Sequence, residues 1–125
     1  MNRYSRFFTA FQFAACAISP SVVARSTPDG LPVVALGSLP NEARAVHALI
    51  LQGGPFRYDR DGVVFGNREH LLPAKPRGYY HEYTVPSPGV KSRGARRIIC
   101  GGGDPPPEAC YYTDDHYQSF KRIRE

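Results

Sequence analysis

Apolar residues recur at intervals of three and four in one segment of the chain. The residues with this spacing are Leu39, Ala43, Val46 and Ile50. Such spacing places side chains on one face of an α-helix. Pro40 stands where a first helical turn accepts proline, and Gly53-Gly54-Pro55 is typical of a helix end. The pattern predicts one helix between Pro40 and Gly53, and we interpret His47 within it as a helix-surface residue and not as a catalyst.

Beyond Pro55 the chain consists of short runs rich in aromatic and β-branched residues. Gly, Pro, Asn or Asp separate these runs, as in turns between strands. The predicted strands cover residues 62–65, 79–85, 96–100, 111–113 and 119–123. Residues 31–36 form a further short strand or an extended lead-in. One helix followed by several strands indicates an α+β fold, with the helix packed on one face of a twisted antiparallel β-sheet.

The beginning of the chain has the pattern of a secretory leader. Arg3 and Arg6 form a short basic region, residues 7–18 are almost wholly apolar, and Val22-Val23-Ala24 is typical of a signal-peptidase site. The apolar run is short for a membrane span. We predict a signal peptide over residues 1–24, and therefore a secreted, extracellular protein with no stable membrane association after cleavage.

Other interpretations of the leader stay open. Cleavage after Ala17, a buried N-terminal helix, a lipid anchor on Cys16 and retention in the periplasm are the alternatives. With cleavage after Ala24, residues 25–35 become a flexible lead-in and residues 36–125 a single domain.

Length and charge narrow the function classes only partly. A chain of 125 residues supports one modest core. Its 16 Lys and Arg oppose 11 Asp and Glu, for a formal net charge of +5. This charge suits an anionic partner, but it also fits an ordinary soluble secreted protein. We expect a monomer.

Two cysteines remain after the predicted cleavage. Cys100 and Cys110 flank a Gly- and Pro-rich hairpin loop, and in an oxidising compartment they could join as a disulfide if the flanking strands pair. The alternative is two unconnected thiols, with Cys100 a small buried hydrophobe. Two cysteines without a local histidine pair do not form a zinc site, so we expect no metal.

Side chains of the predicted strand at 79–85 alternate between the two faces of the sheet. One face carries Tyr80, Glu82 and Thr84, and the other carries Tyr79, His81 and Tyr83. A single glutamate on such a strand is ordinarily a solvated surface residue. Arg93 and Arg97 favour a site instead, because neighbouring strands can bring both guanidiniums to the face of Glu82, where a phosphate could also bind. Arg96 alternates away and is interpreted as surface charge.

His116 follows two aspartates near a predicted turn. A lone histidine is usually structural or merely exposed, yet imidazole groups are also natural proton donors near neutral pH. With Glu82, Arg93 and Arg97, this residue completes the set of groups needed to move a proton, hold a phosphate and protonate a leaving group without a metal.

These residues lie in segments that resemble the guanyl-specific microbial ribonucleases, in particular the small secreted bacterial enzymes related to barnase. The matching segments, in family order, are residues 39–43, 53–56, 60–69, 78–85, 88–89, 93–99 and 111–117. They extend from about Leu36 to Ile123, over nearly all of the predicted domain. The resemblance implies the microbial ribonuclease fold and a guanyl-specific endoribonuclease that cleaves single-stranded RNA 3′ of guanosine.

The resemblance also implies a role for each candidate catalytic residue. Glu82 matches the general base that takes the proton from the ribose 2′-hydroxyl, and His116 matches the general acid that protonates the departing 5′-oxygen. Arg93 and Arg97 match the arginines that bind the phosphate. The implied product is a 2′,3′-cyclic phosphate, which is hydrolysed more slowly to a 3′-phosphate, and the scheme needs no cofactor.

Base recognition is implied for residues 65–69. Glu69 matches the carboxylate that accepts hydrogen bonds from guanine, and the backbone amides near Asn67 and Arg68 match those that meet the guanine carbonyl oxygen. Phe65 and Tyr117 match aromatic residues that stack on the base. Asn67 also fits a simpler interpretation as a turn residue with a permissive backbone.

The chain departs from the family pattern at two positions. Gly66 replaces a residue that often carries a side-chain amide, and Ala35 lies where some relatives have a cysteine bridged to the C-terminus.

Two other functions stay open. One is a noncatalytic RNA-binding or inhibitor-binding module, and the other is a toxin that an acidic, barstar-like inhibitor protein neutralises in the producing cell.

Overall fold

A computed structural model describes residues 30–125, so the predicted leader, its cleavage sites and Cys16 lie outside the described residues. Helix α1 covers Asn41–Gln52 and follows a 3₁₀ turn at Leu36–Ser38. The strands are β1 Val33–Ala35, β2 Val63–Val64, β3 Tyr80–Thr84, β4 Arg97–Gly101, β5 Ala109–Thr113 and β6 Lys121–Arg124. The predicted α+β fold is confirmed. Within residues 30–125, no helix has the length and apolar character needed to cross a bilayer.

Helix α1 begins and ends where the sequence predicts. Pro40 is its N-cap residue, and Glu42 places a negative charge in the first turn, where the helix dipole is positive. Gly53 ends the helix at φ +85°, a left-handed conformation that glycine adopts readily, and its N–H donates to the carbonyl oxygen of Ile50. Ala43 and Ile50 are buried in the core.

The strands form one sheet in the order β1-β6-β5-β4-β3-β2. Neighbours from β6 to β2 are antiparallel, as predicted, whereas β1 adds to the edge parallel to β6 and makes the sheet mixed. Thr84 of β3 lies opposite Arg97 of β4, which lies opposite Thr113 of β5. Because directly paired residues share a face, Glu82, Thr84 and Arg97 project from the same side of the sheet.

Apolar side chains cover both faces of the sheet. On one face, Ile98 packs in a cluster with Ala43 and Ile50 of α1. On the opposite face, Ile99 packs with Leu72, Tyr80, Tyr111 and Phe120. Leu72 and Phe120 come from connections between strands, so loops cover this face in place of a second helix. Glu82 and Arg97 lie on this loop-covered face.

Cys100 and Cys110 form a disulfide. They are direct partners across β4 and β5, with their Cα atoms 4.1 Å apart and their sulfur atoms 2.06 Å apart. Both residues are buried in the cluster that contains α1. The sequence left open whether the two thiols join, and the pairing of β4 with β5 supplies the proximity that the disulfide requires.

The structure decides between the two interpretations of residues 31–36. Residues 33–35 form the short strand β1 and not an extended lead-in, because β6 supplies their backbone partners and Val34 packs against the core. One other interpretation of the sequence is wrong. His47, interpreted as a helix-surface residue, is only 2% exposed, because it shares the buried face of α1 with Ala43 and Ile50.

The buried His47 should make stability depend on pH. Burial lowers the pKa of its imidazole, and Glu125, whose carboxylate lies 3.5 Å from Nε2, partly opposes this effect. Between the lowered pKa and the ordinary value of 6.5, the unfolded chain binds more protons than the folded protein. The free energy of unfolding should therefore fall as the pH decreases through this window. We expect a contribution of at most about 1.4 kcal/mol per pH unit, measured by denaturant unfolding at several pH values.

The variant His47→Leu isolates this contribution, because all other groups titrate in both proteins. Its stability should depend less on pH than that of the wild type between pH 6.5 and the lowered pKa. Glu125→Gln should extend the window to lower pH, since it removes the charge that raises the pKa of His47. Parallel curves for the wild type and His47→Leu would contradict the assignment.

Candidate active site

A connected group of polar side chains lies on the sheet face opposite α1. The Glu82 side chain is 9% exposed, and Arg97 is 2% exposed. Burying a charge is costly unless polar groups surround it, so the partners of these two residues determine what the site can do.

Glu82 has three polar neighbours. The hydroxyl of Tyr117 donates to Oε2 at 2.9 Å. Arg93 Nη2 and Arg60 Nε lie 3.8 and 3.9 Å from Oε1, which is an ion-pair distance but too long for a hydrogen bond. Oε1 therefore accepts no hydrogen bond from the described residues, and it is the oxygen available to a proton of a bound molecule.

Arg97 is held by carbonyl oxygens and a phenol, with no carboxylate of the described chain at salt-bridge distance. Nη1 donates to the carbonyl oxygens of Arg96 at 2.7 Å and Arg93 at 3.3 Å, and Nε donates to the Tyr117 hydroxyl at 3.0 Å. Nη2 has no hydrogen-bond partner within residues 30–125. The guanidinium is thus fixed without being directly neutralised, which suits it to bind an anion.

Thr84 and Asp61 position Arg93. Nε and Nη2 of Arg93 donate to Thr84 Oγ1 at 3.0 and 2.7 Å. The backbone N–H of the buried Thr84 donates in turn to Asp61 Oδ1 at 2.7 Å, and Asp61 Oδ2 accepts from the Tyr58 N–H at 3.1 Å. These bonds hold the Arg93 guanidinium, which is 28% exposed, at the rim of the site.

Tyr117 connects the buried carboxylate with the buried guanidinium, because its hydroxyl donates to Glu82 and accepts from Arg97. Burial raises the pKa of the Tyr117 hydroxyl, and the hydrogen bond to Glu82 raises it further. The phenol stays protonated at neutral pH. Tyr117 is therefore a neutral donor that orients Glu82.

The turn between β5 and β6 presents His116 at the surface. His116 and Tyr117 have φ values of +56° and +72°, which are uncommon for residues other than glycine. The N–H of His116 donates to the Ala95 carbonyl oxygen at 3.0 Å, and its ring packs against that of Tyr117 with centroids 4.8 Å apart. The imidazole is exposed beside the tyrosine that contacts Glu82.

Asp115 stabilises this turn from within. Its carboxylate accepts hydrogen bonds from the Ser119 side chain and backbone N–H and from Thr113 Oγ1. The hydrogen bond from the Ser119 hydroxyl, followed by those from Thr113 and the backbone, lowers the pKa of Asp115. Asp115 therefore supports the backbone that places His116 and Tyr117.

A cavity of about 240 Å³, which we call the loop cavity, opens beside Glu82. It is lined by residues 64–69 together with Leu71, Glu82, Tyr117 and Phe120. The rings of Phe65 and Tyr117 are stacked, with centroids 5.4 Å apart. The cavity thus combines aromatic surface with the carboxylate of Glu69 and the peptide groups of the loop.

Asn67 shapes the loop that lines this cavity. Its φ is +50°, and its side-chain amide both donates to and accepts from the backbone of the buried Leu72, at 2.9 and 3.1 Å. The interpretation of Asn67 as a turn residue is confirmed. Because the Asn67 side chain is occupied within the loop, hydrogen bonds from this segment to a ligand fall to the backbone amides and to Arg68 and Glu69, which are exposed.

Comparison with known proteins identifies the family. The family model for ribonucleases matches residues 23–124. The chain belongs to the ribonuclease family. Its relatives include guanyl-specific ribonuclease Sa3 of Kitasatospora aureofaciens, with 56% identity over 90 residues, which cover 72% of this chain and 62% of the relative. The chain therefore spans less than two thirds of the length of that relative.

Other relatives of the chain are matched over most of their length. Guanyl-specific ribonuclease Sa of Kitasatospora aureofaciens is 52% identical over 72% of this chain and 91% of its own. Guanyl-specific ribonuclease St of Saccharopolyspora erythraea is 49% identical, and the match covers 74% of this chain and 87% of the relative. The predicted membership of this chain in the guanyl-specific microbial ribonuclease family is thus confirmed.

Solved structures support the same grouping. A crystal structure of ribonuclease Sa2 with guanosine-2′-cyclophosphate is 47% identical and superimposes with a TM-score of 0.68, covering 75% of this chain and 96% of that one. A structure of ribonuclease Sa2 with mononucleotides is 46% identical and superimposes with a TM-score of 0.71, covering 76% of this chain and 95% of that one.

The ribonuclease fold brings most of the predicted site residues together. Glu82, Arg93 and Arg97 meet on one sheet face, Phe65, Asn67, Arg68 and Glu69 line the adjoining loop cavity, and Tyr117 and His116 follow β5. Tyr117 was predicted only as a base-stacking residue, and the structure adds its hydrogen bonds to Glu82 and Arg97. The catalytic and base-binding roles of these residues stay predictions.

The sequence did not indicate Arg60 as a site residue. Val63 pairs with Glu82 across β2 and β3, and the N–H of Gly62 donates to the Glu82 carbonyl oxygen at 2.8 Å, which brings the preceding turn and Arg60 to the carboxylate. Pairing the predicted strands 62–65 and 79–85 would have indicated that Arg60 lies near Glu82.

Among residues 30–125, no group of three or more His, Cys, Asp or Glu side chains is arranged to hold a metal ion.

Proposed function

We propose that the protein is a guanyl-specific endoribonuclease that cleaves single-stranded RNA on the 3′ side of guanosine. The reaction is a transesterification to a 2′,3′-cyclic phosphate, followed by hydrolysis to a 3′-phosphate. One observation carries the proposal: a buried carboxylate, Glu82, lies at ion-pair distance from Arg93 and lines a cavity together with a second carboxylate, Glu69. Tyr117 links Glu82 to a second guanidinium, that of Arg97. Binding alone would not require this arrangement of a base beside anion-binding groups.

Glu82 acts as the general base. Its Oε1 accepts the proton of the ribose 2′-hydroxyl as the 2′-oxygen forms a bond to phosphorus. The bond from phosphorus to the 5′-oxygen of the next nucleotide breaks, and His116 donates a proton to that leaving oxygen. In the hydrolysis step, water enters where the leaving oxygen departed, so the two residues exchange their acid and base roles.

Arg93 and Arg97 stabilise the charge that grows on the nonbridging phosphate oxygens. Arg97 is held by two carbonyl oxygens and the Tyr117 hydroxyl, and Arg93 by Thr84, so neither guanidinium needs to reorganise during the reaction. Donors fixed before the charge develops are the most effective form of electrostatic catalysis. The Tyr117 hydroxyl, which donates to Glu82 and accepts from Arg97, holds the base in a fixed position relative to the Arg97 guanidinium.

Guanine binds in the loop cavity. The Glu69 carboxylate accepts hydrogen bonds from the ring N–H and the exocyclic amine, which adenine does not present on the same edge. The backbone amides near Asn67 and Arg68 meet the guanine carbonyl oxygen, and Phe65 with Tyr117 supplies aromatic surface for stacking. Gly66 has no side chain, so only its backbone groups can contact the base.

Export as a monomer completes the proposal. The basic and apolar pattern of residues 1–24 supports a secretory leader, and the disulfide between Cys100 and Cys110 is consistent with an oxidising destination.

The candidate active site would be open to an acidic, barstar-like inhibitor, because its exposed rim contains arginines. Loss of activity with a small acidic protein made by the same cell would favour the toxin role over nutrient scavenging.

Digestion of mixed-sequence RNA in the presence of a chelator tests the activity. The product ends should be guanosine 2′,3′-cyclic phosphate at early times and guanosine 3′-phosphate later. Glu69→Gln should reduce the preference for guanosine over adenosine by roughly tenfold to a hundredfold, since it replaces an acceptor of two hydrogen bonds with a mixed donor and acceptor.

Asp104→Asn is the matched control, because it removes one negative charge from an exposed loop away from the site. It should leave both rate and base preference unchanged. Cleavage at equal rates after all four bases by the wild type, or unchanged preference in Glu69→Gln, would rule out the assigned base-reading site.

A further inference from the structure

A second cavity adjoins the loop cavity on the side away from the candidate catalytic residues. It has a volume of about 610 Å³ and is lined by residues 64–68, residues 75–78 and Tyr80. We call it the basic groove. Residues 64–68 line both cavities, whereas Glu82 and Tyr117 line only the loop cavity. The groove therefore continues the proposed substrate path past the guanine site without belonging to the reaction centre.

Among residues 30–125, three cationic side chains line the basic groove and no carboxylate does. Arg68, Lys75 and Arg77 are exposed, and none of them pairs with an acidic side chain within residues 30–125. Like charges that share a groove without counter-charges repel one another, so the groove gains most from an anion placed among them. Phosphate is the anion that an RNA substrate would bring to this place.

The segment that presents Lys75 and Arg77 is held in place. The Tyr80 hydroxyl donates to the Pro73 carbonyl oxygen at 2.6 Å, and the Tyr79 N–H donates to the Pro76 carbonyl oxygen at 3.1 Å. The Lys75 ammonium lies 5.2 Å from the centre of the Tyr79 ring. Proline restricts the backbone at two positions of this segment. A restrained segment loses less conformational freedom on binding than a free surface lysine would.

We propose that the basic groove binds the phosphate on the 5′ side of the recognised guanosine, with Lys75 and Arg77 as its main contacts. This inference rests on the proposed function. A guanosine in the loop cavity directs its 3′-phosphate toward Glu82, Arg93 and Arg97. The chain on its 5′ side must leave the loop cavity elsewhere, and the basic groove is the adjoining cationic surface. The enzyme then prefers a guanosine within a chain to one at a 5′ end.

Paired short substrates test the groove. We compare kcat/KM for GpU, which has no upstream phosphate, with that for UpGpU, at low salt. The wild type should cleave UpGpU roughly fivefold more efficiently, because exposed ion pairs contribute modestly. In the double variant Lys75→Gln/Arg77→Gln this ratio should fall to about one, with GpU cleavage unchanged. UpGpU with an uncharged methylphosphonate upstream should behave like GpU in both proteins.

Lys121→Gln/Arg124→Gln is the matched control, since it removes the same charge from β6, near the opposite edge of the sheet. It should keep the wild-type ratio. An unchanged ratio in Lys75→Gln/Arg77→Gln, or an equal loss on GpU and UpGpU, would overturn the proposal.

Binding separates failure of this inference from failure of the proposed function. The probe is a noncleavable trinucleotide with 2′-deoxyguanosine at its centre. Its affinity for the wild type should fall more steeply with salt than its affinity for the Lys75→Gln/Arg77→Gln variant. The slopes of log K against log salt should differ by about 0.7, the value for one phosphate. If GpU and UpGpU are both left intact, the proposed activity is wrong, and the salt slopes still decide whether the groove holds a phosphate. Equal slopes would reject the groove.

Discussion

Glu82→Gln is expected to lower kcat for cyclisation by roughly 10²–10⁴-fold, the contribution of a positioned general base. The amide has almost the shape of the carboxylate, and its oxygen can still accept the hydrogen bond from Tyr117. What it lacks is the basicity needed to take the 2′-hydroxyl proton. KM should not rise, because removing a negative charge beside Arg93 does not weaken phosphate binding. Steady-state cleavage of GpU measures both constants.

Glu108→Gln provides the control for removing the charge of a carboxylate that accepts a hydrogen bond from a tyrosine hydroxyl. Glu108 is exposed and accepts a hydrogen bond from the Tyr79 hydroxyl at 3.0 Å, as Glu82 does from Tyr117, but it does not line the loop cavity. Its replacement should leave kcat unchanged. If Glu82→Gln kept the wild-type kcat with its thermal stability intact, another group would have to be the base. A large rise in KM with unchanged kcat would make Glu82 a binding residue instead.

Removal of the imidazole at His116 should also cost roughly 10²–10⁴-fold in RNA cleavage, because the 5′-oxygen would leave as a poorly stabilised alkoxide. The loss should be far smaller on guanosine 3′-(4-nitrophenyl phosphate), whose leaving group is stable without a proton. This contrast distinguishes a general acid from a residue that only supports the structure. His116→Asn is the suitable variant, because asparagine tolerates the left-handed backbone, here at φ +56°.

The chain contains a closely matched control for that variant. His70 is also exposed and also has φ +56°, so His70→Asn repeats the same chemical change on the same backbone conformation away from the catalytic group. It should affect neither substrate. Equal losses on RNA and on the nitrophenyl ester in His116→Asn would mean that His116 positions Tyr117 or the turn and does not protonate the leaving oxygen.

The two variants also test the alternative of a noncatalytic binding module. A module that only binds RNA needs neither a base nor an acid, so both variants should then retain RNA affinity with no cleavage by any form of the protein. Arg97 could serve either function, since its contacts with Tyr117 and two carbonyl oxygens hold an anion-binding group in place. Only turnover separates the two functions.

Local patterns along the chain predicted much of the fold. The spacing of Ala43 and Ile50 predicted α1, and strand alternation predicted the common face of Glu82 and Thr84, because both depend on repeat geometry within one element. The same spacing also places His47 on the buried face, although its polarity alone predicts a surface residue. Its burial depends on what packs over the helix, which periodicity does not specify.

Contacts between distant segments could not be predicted in this way. Residues 33–35 take the strand alternative because β6, about 90 residues later, offers them an unpaired edge. Arg60 reaches Glu82 through the pairing of β2 with β3. The hydrogen bonds of Tyr117 follow from a left-handed turn that Asp115 stabilises. Each of these contacts requires the register of paired strands, which short-range patterns leave undetermined.

The sequence by itself determined helix α1, the order of the strands along the chain, the shared face of Glu82 and Thr84 on one strand and, through its motifs, the resemblance to the ribonuclease family. Only the tertiary structure decided that Tyr117 joins Glu82 to Arg97, that Cys100 and Cys110 are bonded, that His47 is buried and that the basic groove adjoins the loop cavity. The physical reason is that backbone periodicity is a local property, whereas burial, hydrogen-bond partners and the balance of charge depend on residues that folding brings together from distant parts of the chain.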